Sequence, residues 1–190
     1  MQAEILRYPQ GELPPALRDQ VLALHRQAWP PAELGREGPA HDPALRPVSM
    51  TLVAGGRVLA ALDILSKELE HAGEHFAASG LSTVVTDEAV RGRGHGRRLV
   101  AAAREAIAAS GADLGIFTCD RELGPFYESA GWTILPGTVL VGGTPDEPFP
   151  SDQWDKLTLG SFFSARARAA AGSFQGARIG LYPGSIDRLW

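Results

Sequence analysis

Apolar and polar residues alternate along this chain with two periods, one typical of strands and one typical of helices. Residues 2–8 alternate often enough to predict a first strand. Pro14-Pro15 then favours the start of a helix, and Trp29-Pro30-Pro31 favours its end. Four apolar side chains at helical spacing predict one buried face on this helix: Leu17, Val21, Leu24 and Ala28.

Three strands and a long helix are predicted in the middle of the chain. Residues 32–47 are rich in proline, glycine and charge, and they predict an ordered surface loop or short helical turns. The predicted strands are 48–54, 58–69 and 75–86, and the predicted helix is 96–110. Gly55-Gly56 is a hairpin signal between the first two strands, and Gly111 favours the end of the helix.

The last part of the chain has a less regular pattern. A strand, a helix and a strand are predicted from Leu114 through Tyr127 and Trp132 to Val141. Beyond them we predict a loop at 142–153, a strand at 154–159, a helix at 162–174 and a last strand at 177–182. The whole pattern predicts an α/β fold with a mixed central β-sheet and helices on both faces. A chain of 190 residues suits a single domain spanning 1–190.

The segment from Val90 to Arg98 is the most informative part of the sequence. It reads Val-Arg-Gly-Arg-Gly-His-Gly-Arg-Arg and joins a predicted strand to a predicted helix. Glycine at alternate positions lets the backbone approach a ligand closely, and the helix points its free N–H groups at the same place. The arginines add positive charge to the helix dipole. Together these features predict a phosphate or pyrophosphate site.

The spacing of this loop excludes two common phosphate sites. An ATPase-type loop needs Gly-Lys followed by Ser or Thr, whereas Gly96 is followed here by Arg97. A dinucleotide fingerprint needs a third glycine where Arg97 stands. The pattern that fits is Arg-x-x-Gly-x-Gly, formed by Arg91, Gly94 and Gly96. A surface turn rich in glycine and arginine is the alternative interpretation.

A second motif follows further along the chain. After the predicted strand at 114–119, Asp120 leads into the sequence Phe-Tyr-Glu-Ser-Ala-Gly-Trp at 126–132. The two motifs, in this order and on these elements, resemble the acyl-coenzyme A loop and the Asn-x-x-Ala-x-x-Phe-Tyr-Glu-x-x-Gly-Phe segment of the GNAT N-acetyltransferases. Asp120, Leu123 and Trp132 depart from that segment. The resemblance covers roughly residues 48–142 and implies the GNAT fold, with strands splayed at the acyl-CoA site.

The resemblance implies acetyl-CoA as the cofactor. In this family the strand backbone holds the pantetheine arm and the glycine loop holds the pyrophosphate. The cofactor-binding positions so implied are Val84, Val85, Arg91, Gly92, Arg93, Gly94, Gly96, Arg97, Asp120 and Tyr127. For the side chains of Arg93, His95 and Arg98, a solvated rim around the site is the favoured interpretation. No set of metal ligands is predicted.

Tyr127 is the candidate general acid by its position in the motif. A tyrosine with an ordinary pKa near 10 is protonated at neutral pH and roughly matched to a departing thiol. A plain core position is the alternative for Tyr127. Cys119 raises the question of an acyl-cysteine intermediate, but no activating partner is evident in the sequence. A buried structural thiol is therefore the favoured interpretation of Cys119.

The general base is not fixed by the sequence. Many relatives place a glutamate on the strand before the cofactor loop, and residues 81–85 contain no acid. Asp63 on the neighbouring strand is one candidate, acting through water, although an exposed strand position suits it equally. Asp187 and the C-terminal carboxylate of Trp190 are the others. Deprotonation by a water chain without a dedicated base is a further alternative.

The end of the chain suggests an acceptor site. Its bulky apolar residues indicate docking against the body of the protein, with plain anchoring as the alternative. The ending is similar to that of the aminoglycoside 2'-N-acetyltransferases, with one extra residue between Asp187 and Trp190. That resemblance implies that both residues bind the substrate and that the segment 143–190 completes the acceptor site. Further substrate-binding candidates, each also consistent with a solvated position, are Asp42, Thr118 and Asp152, with Asp155 nearby.

Charge and composition narrow the function classes. The net charge of −4 argues against a nucleic-acid binder. The chain has no apolar run near the roughly 20 residues that span a bilayer, no signal peptide and one cysteine, so we expect no membrane partner and a cytoplasmic location. The expected function is acetyl transfer to a primary amine of a small cationic molecule, aminoglycoside-like, by direct attack in a ternary complex. Alternatives are a protein or peptide N-acetyltransferase and a non-catalytic acyl-CoA-binding module, and a homodimer is left open.

Overall fold

The computed structural model describes residues 2–29, 41–182 and 189. Along these residues the strands are β1 (Glu4–Pro9), β2 (Val48–Ala54), β3 (Arg57–His71), β4 (Glu74–Thr86), β5 (Leu114–Asp120), β6 (Thr133–Ile134), β7 (Val139–Gly143), β8 (Pro148–Pro150), β9 (Lys156–Phe162) and β10 (Arg178–Gly180). The α-helices are α1 (Pro15–Ala28), α2 (His95–Ala109), α3 (Gly124–Ser129) and α4 (Ala165–Phe174). None of the helices in the described ranges has both the length and the apolar character needed to cross a membrane.

Seven strands form the main sheet, in the order β1-β2-β3-β4-β5-β9-β6. All neighbours are antiparallel except β4 and β5, which are parallel. The hairpin between β2 and β3 turns at Gly55 and Gly56, whose φ angles of 57° and 76° are left-handed, as the tight hairpin turn requires. This mixed sheet confirms the predicted α/β fold class.

Helices cover both faces of the main sheet. Leu99 and Val100 of α2 belong to the same apolar cluster as Ala60 of β3. Leu24 of α1 belongs to a separate cluster that contains the next residue of the strand, Ala61. Consecutive strand residues point to opposite faces. The two helices therefore lie on opposite sides of β3.

The C-terminal part of the described chain covers one end of the main sheet. Strands β10, β7 and β8 form a small second sheet. The Nζ of Lys67 on β3 donates a hydrogen bond to the carbonyl of Leu181, just after β10. Lys67 is six residues beyond Ala61, an even number, so the second sheet lies on the same face as α1.

The structure corrects several predicted elements after β7. The predicted loop at 142–153 contains β8, which pairs at the edge of the second sheet, where a proline without an N–H is tolerated. Trp154 ends a 3-10 turn and Asp155 takes a left-handed φ of 50°, so β9 starts later than predicted and runs on to Phe162. The last helix also starts later than predicted, because the side chain of Ser164 accepts a hydrogen bond at its N-terminus and caps it.

Candidate active site

A cleft opens in the main sheet between β4 and β5. The two strands pair at Ala78 with Leu114 and at Ser79 with Gly115, and no other pairing joins them within the described residues. Beyond Ser79 the edge of β4 that faces β5 is open, so an extended ligand can pair with it as an additional strand. The predicted splay of the strands is present.

A β-bulge lies in β4 beside this opening. Ala61 of β3 pairs with Val85, whereas Asp63 pairs with Ser82, so β4 has one more residue than β3 between these pairs. Thr83 in the bulge has a φ of 51°, a left-handed conformation that is uncommon for a residue other than glycine. The residues that follow the bulge, Val84 and Val85, line the cleft.

The glycines of the predicted phosphate loop shape one end of the cleft. Gly92 and Gly94 have φ angles of 78° and 81°, and Gly94 is the N-cap of α2. A Cβ on Gly96 would lie 2.5 Å from Oγ1 of Thr86 and 3.4 Å from the ring of Phe126. Glycine at this position therefore lets the first turn of α2 approach β4 closely. The first N–H groups of a helix have no partner within the helix, and those of α2 belong to residues that line this cleft.

Positive charge surrounds the same end of the cleft. Arg91 and Arg97 both line it. The Nε of Arg91 donates a hydrogen bond to the carbonyl of Thr86 at 3.2 Å, and its guanidinium lies 3.5 Å from the carboxylate of Glu88. Two arginines and a helix N-terminus together suit a pyrophosphate.

The other basic residues of the loop divide between the cleft and its surroundings. His95 lines the cleft, whereas Arg93, a predicted cofactor residue, is absent from its described lining. Arg98 donates a hydrogen bond to the carbonyl of Ala3 at 2.8 Å, so it ties α2 to the start of β1. The sequence pattern does not separate these roles, because all three side chains lie within one short charged segment.

The cleft has a volume of about 830 Å³. This is at the upper end of the usual range for small-molecule sites, roughly 300–1,000 Å³. The predicted cofactor residues along it are Val84, Val85, Arg91, Gly92, Gly94, Gly96, Arg97, Asp120 and Tyr127. The structure thus brings residues from β4, the loop, β5 and α3 to one place.

Tyr127 forms part of the wall of this cleft while its ring is packed in the core. It is 6% exposed, and its ring meets those of Phe117 and Phe126 edge to face, at centroid distances of 5.1 and 4.9 Å. Burial raises the pKa of Tyr127 well above its usual value, and Cys119 and Asp120 raise it further. The phenol is therefore protonated at any physiological pH and is available as a proton donor.

Cys119 lies close to Tyr127 but is not activated. Burial raises the pKa of its thiol to about 11, and the charge of Asp120 adds to the effect. The carboxylate of Asp120 is itself paired with Nζ of Lys156 at 2.5 Å. A thiol with so high a pKa is protonated at neutral pH and is a poor nucleophile. These properties favour a structural thiol over an acyl-cysteine.

A second cavity of about 710 Å³ lies beside α1, against β1, β2 and the 3-10 turn at Pro43–Leu45. Its lining is mostly apolar. The exposed side chains of Arg18 and Arg46 add positive charge to this cavity. Among its described lining residues, Asp63 is the one with a carboxylate. Asp63 is two residues from Ala61 on β3, so this cavity lies on the α1 face of the sheet.

Asp63 is the centre of a buried hydrogen-bond network. It is 4% exposed, and its carboxylate accepts hydrogen bonds from Ser49 Oγ at 2.5 Å, from Thr83 Oγ1 at 2.7 Å and from His41 Nε2 at 3.2 Å. Burial alone would raise the pKa of Asp63, but these donors and the charge of His41 lower it below its usual value. The carboxylate is thus ionised and fully engaged, and it is a poor proton acceptor. The alternative of an exposed strand position is wrong.

The residues predicted around the acceptor are not gathered at either cavity. Asp42 caps the 3-10 turn that follows it. Asp152 is paired with Arg178 at 2.8 Å on the second sheet, and Thr118 lies within the ladder between β5 and β9. None of the three belongs to the described lining of either cavity. Asp187 and Trp190 lie outside the described residues.

Sequence reasoning missed the contribution of α1. Trp29 lines the first cleft, and His25, one turn earlier, lines the second cavity. The ring of His25 meets that of Trp29 edge to face at a centroid distance of 5.6 Å. A signal was available, since His25 follows Val21 at helical spacing on the predicted apolar face. A polar residue in such a stripe is worth testing as a site residue.

An open strand edge, a glycine loop at a helix N-terminus and a protonated tyrosine lie together in one cleft, an arrangement that suits the binding of an acyl-CoA. The family model described as an acetyltransferase (GNAT) domain matches residues 12–135, well over half of the 190 residues. The chain therefore belongs to the GNAT acetyltransferase family, whose members use acetyl-CoA. The cofactor prediction is confirmed at this level.

Solved structures share the fold at low sequence identity. The GNAT family N-acetyltransferase YhbS from Escherichia coli, in complex with CoA, is 18% identical with a TM-score of 0.64, and the match covers 96% of this chain and 91% of that one. An acyl-CoA N-acyltransferase from Pseudomonas aeruginosa is 15% identical with a TM-score of 0.59, covering 84% and 99%. An aminoglycoside 6'-N-acetyltransferase complexed with coenzyme A is 16% identical with a TM-score of 0.57, covering 86% and 98%. No curated protein matches the sequence.

Proposed function

We propose that this protein transfers an acetyl group from acetyl-CoA to a primary amine of a small molecule, by direct attack in a ternary complex. The observation that carries the proposal is the cleft between β4 and β5, in which the loop before α2, the open edge at Val84 and the phenol of Tyr127 all meet. A second cavity lies on the α1 face of β2 and β3, where Ser49 and Asp63 line it, and Asp63 accepts a hydrogen bond from Thr83 of the bulge. Two separate cavities suit a donor and an acceptor in a ternary complex.

The cofactor fits the cleft by its chemistry. The N–H groups at the start of α2 and the side chains of Arg91 and Arg97 hold the pyrophosphate, and the open edge at Val84 and Val85 pairs with the amide-containing pantetheine arm. When bound, acetyl-CoA supplies the thioester: the amine nitrogen bonds to the carbonyl carbon and the carbon–sulfur bond breaks. Tyr127 gives its proton to the departing sulfur and regains one from the new amide nitrogen through solvent.

The acceptor is proposed to be a small amine with limited positive charge. Arg18 and Arg46 lie at the second cavity, and the carboxylate of Asp63 already accepts three hydrogen bonds. This balance disfavours a polycation at that cavity. A polycationic, aminoglycoside-like acceptor is the second candidate, because the chain end at Asp187 and Trp190 resembles that of aminoglycoside 2'-N-acetyltransferases.

An assay of CoA thiol release over a panel of amines tests the proposal. The panel contains monoamines with apolar bodies, amino acids, an aminoglycoside and a peptide with a free N-terminus. Faster acetylation of the small monoamines than of the aminoglycoside supports the proposal, whereas acetylation of the peptide and of no other amine contradicts it. Binding of acetyl-CoA without release of thiol from any amine would instead favour a non-catalytic binding module.

Removing the last six residues, 185–190, tests the role of the chain end. If Asp187 and the terminal carboxylate face the amine, the deletion should raise the acceptor KM strongly and leave acetyl-CoA affinity nearly unchanged, because an ion pair in a partly dry cleft is worth far more than an exposed one. Steady-state kinetics with the best amine of the panel measures both. The matched variant Asp187→Asn removes the charge and keeps the bulk, and an unchanged KM in a folded deletion variant would leave the tail as an anchor only.

A further inference from the structure

Thr83 has a strained backbone conformation where β4 forms one wall of the cleft. Its φ of 51° is left-handed, which is unfavourable for a β-branched residue. The other non-glycine residues with a positive φ in the described ranges lie in turns or directly after 3-10 turns: Arg46, Ala72 and Asp155. Thr83 lies within a strand instead. Such strain persists only where neighbouring groups hold the residue in place.

The buried carboxylate of Asp63 is a group that holds Thr83. The Oγ1 atom of Thr83 donates a hydrogen bond of 2.7 Å to it. Asp63 is itself fixed, because it is 4% exposed and bonds to Ser49 Oγ and His41 Nε2 as well. Burial opposes ionisation of this carboxyl group, but its hydrogen bonds lower its pKa, so the group is charged. Hydrogen bonds to a charged group are stronger than those between neutral groups, and this one offsets strain at Thr83.

The conformation of Thr83 determines where the next residues of β4 lie. Thr83 and Val84 together stand opposite one residue of β3, Leu62. The left-handed conformation accommodates the extra residue, and Val84 and Val85 then continue the strand along the cleft. Without it, β4 would have to shift by one residue, which exchanges the faces on which Val84 and Val85 lie. The backbone edge offered to the pantetheine arm would then change.

The pyrophosphate end of the cleft is fixed by other contacts. Asp87, just after β4, is paired with Arg57 and accepts a hydrogen bond from the N–H of Ala89 at 3.1 Å. Gly94 then caps α2. None of these contacts involves Thr83. A change at Thr83 should therefore act on the arm of the cofactor and leave the binding of the pyrophosphate in place.

We propose that Asp63 is a positioning residue for acetyl transfer: through its hydrogen bond with Thr83 it sets the edge of β4 on which the pantetheine arm and the thioester lie. The inference rests on the proposed function, in which the arm pairs with that edge. Asp63 lines the second cavity and acts on the cleft through Thr83. In this role it exchanges no proton with the reacting atoms.

Two substitutions at Thr83 test this role in the whole protein. Thr83→Val removes the hydroxyl and keeps the β-branched shape, so the left-handed conformation stays strained and loses its support. Acetyl-CoA should bind about 10-fold or more weakly, the fold-change expected for one charge-assisted hydrogen bond. Thr83→Gly also lacks the hydroxyl, but glycine adopts a positive φ freely, so this variant should recover most of the lost affinity. Isothermal titration calorimetry measures both.

The nucleotide half of CoA, which keeps the pyrophosphate and lacks the pantetheine arm, is the second probe. Its affinity should be the same in the wild type and in Thr83→Val, whereas a variant with a generally damaged fold would lose affinity for both probes. The matched control is Thr138→Val. The hydroxyl of Thr138 donates a hydrogen bond to the carbonyl of Phe174 beside the second sheet, so its loss should leave the affinity for both probes unchanged.

If Thr83→Val does not fold, Asp63→Asn alone and combined with Thr83→Gly decides the question, because the glycine should restore acetyl-CoA affinity that Asp63→Asn loses. Three results overturn the inference and leave the proposed function standing: wild-type affinity in Thr83→Val, an equal loss in Thr83→Val and Thr83→Gly, or an equal loss for both probes. In the double variant, absence of any recovery has the same meaning. A wild type that acetylates no amine of the panel overturns the proposed function and the inference with it.

Discussion

Replacing Gly94 with aspartate should weaken acetyl-CoA binding by at least about 100-fold. Gly94 is the N-cap of α2 with a φ of 81°, so any side chain there is strained, and a carboxylate would face the pyrophosphate. Loss of two charge-assisted backbone hydrogen bonds, each worth about 1.5–3 kcal/mol, gives this magnitude. Isothermal titration calorimetry of the variant with acetyl-CoA measures it.

The control for this variant is Gly111→Asp. Gly111 follows the other end of α2, has a φ of 84° and, like Gly94, has nothing within 4 Å of an added Cβ. The substitution introduces the same strain and the same charge far from the cleft. Its acetyl-CoA affinity should match that of the wild type. Equal affinity in the Gly94 variant and the wild type would remove this loop from the binding site.

Replacing Tyr127 with phenylalanine should lower kcat by about 10² to 10⁴, the usual contribution of a positioned proton donor. The ring would still pack between Phe117 and Phe126, so the fold and acetyl-CoA affinity should be retained. Because the pKa of Tyr127 is raised, the phenol stays protonated as the pH rises, and the wild type should show no loss of kcat from this group up to at least pH 9. Steady-state kinetics between pH 6 and 9 measures both effects.

Two further variants separate the tyrosine from its neighbours. Tyr8→Phe on β1 removes a hydroxyl outside the two cavities and should leave kcat unchanged. Cys119→Ala should also retain turnover, because its thiol is protonated. Full activity of Tyr127→Phe together with loss of activity in Cys119→Ala would reverse the assignment and favour an acyl-cysteine route.

The parts of the fold that depend on neighbouring residues were predictable. Glycines at alternate positions before an amphipathic segment placed the loop and α2 within a residue or two, and Gly55-Gly56 placed the hairpin. The short strand at Pro148–Pro150 was not predictable, because its two prolines disfavour a strand and only its edge position in the second sheet allows one. Its pairing partner is set by tertiary structure.

The residues of the candidate site also fall into a group that the sequence predicts and a group that depends on tertiary contacts. Positions that need glycine or a motif aromatic were found from the sequence, since their requirement is local. Asp152 was predicted to bind the substrate, and the structure pairs its carboxylate with Arg178, which lies 26 residues further along the chain. Asp63 was left open and His25 was missed, because the burial of both residues and the hydrogen bond between Asp63 and Thr83 arise only when β3, β4 and α1 assemble.

The two residue pairs that join β4 to β5 also bear on how the protein unfolds. Because so few residues pair β4 with β5, the sheet has two halves, strands β1 to β4 and strands β5, β9 and β6. The two halves can unfold locally and separately. A cofactor bound along β4 and against α3 contacts both halves of the sheet and therefore stabilises the junction between β4 and β5. At 100 times its dissociation constant it adds about 2.7 kcal/mol to the free energy of unfolding. Amide hydrogen exchange should therefore slow on both sides of the cleft when acetyl-CoA is bound, and the two halves should then unfold as one unit.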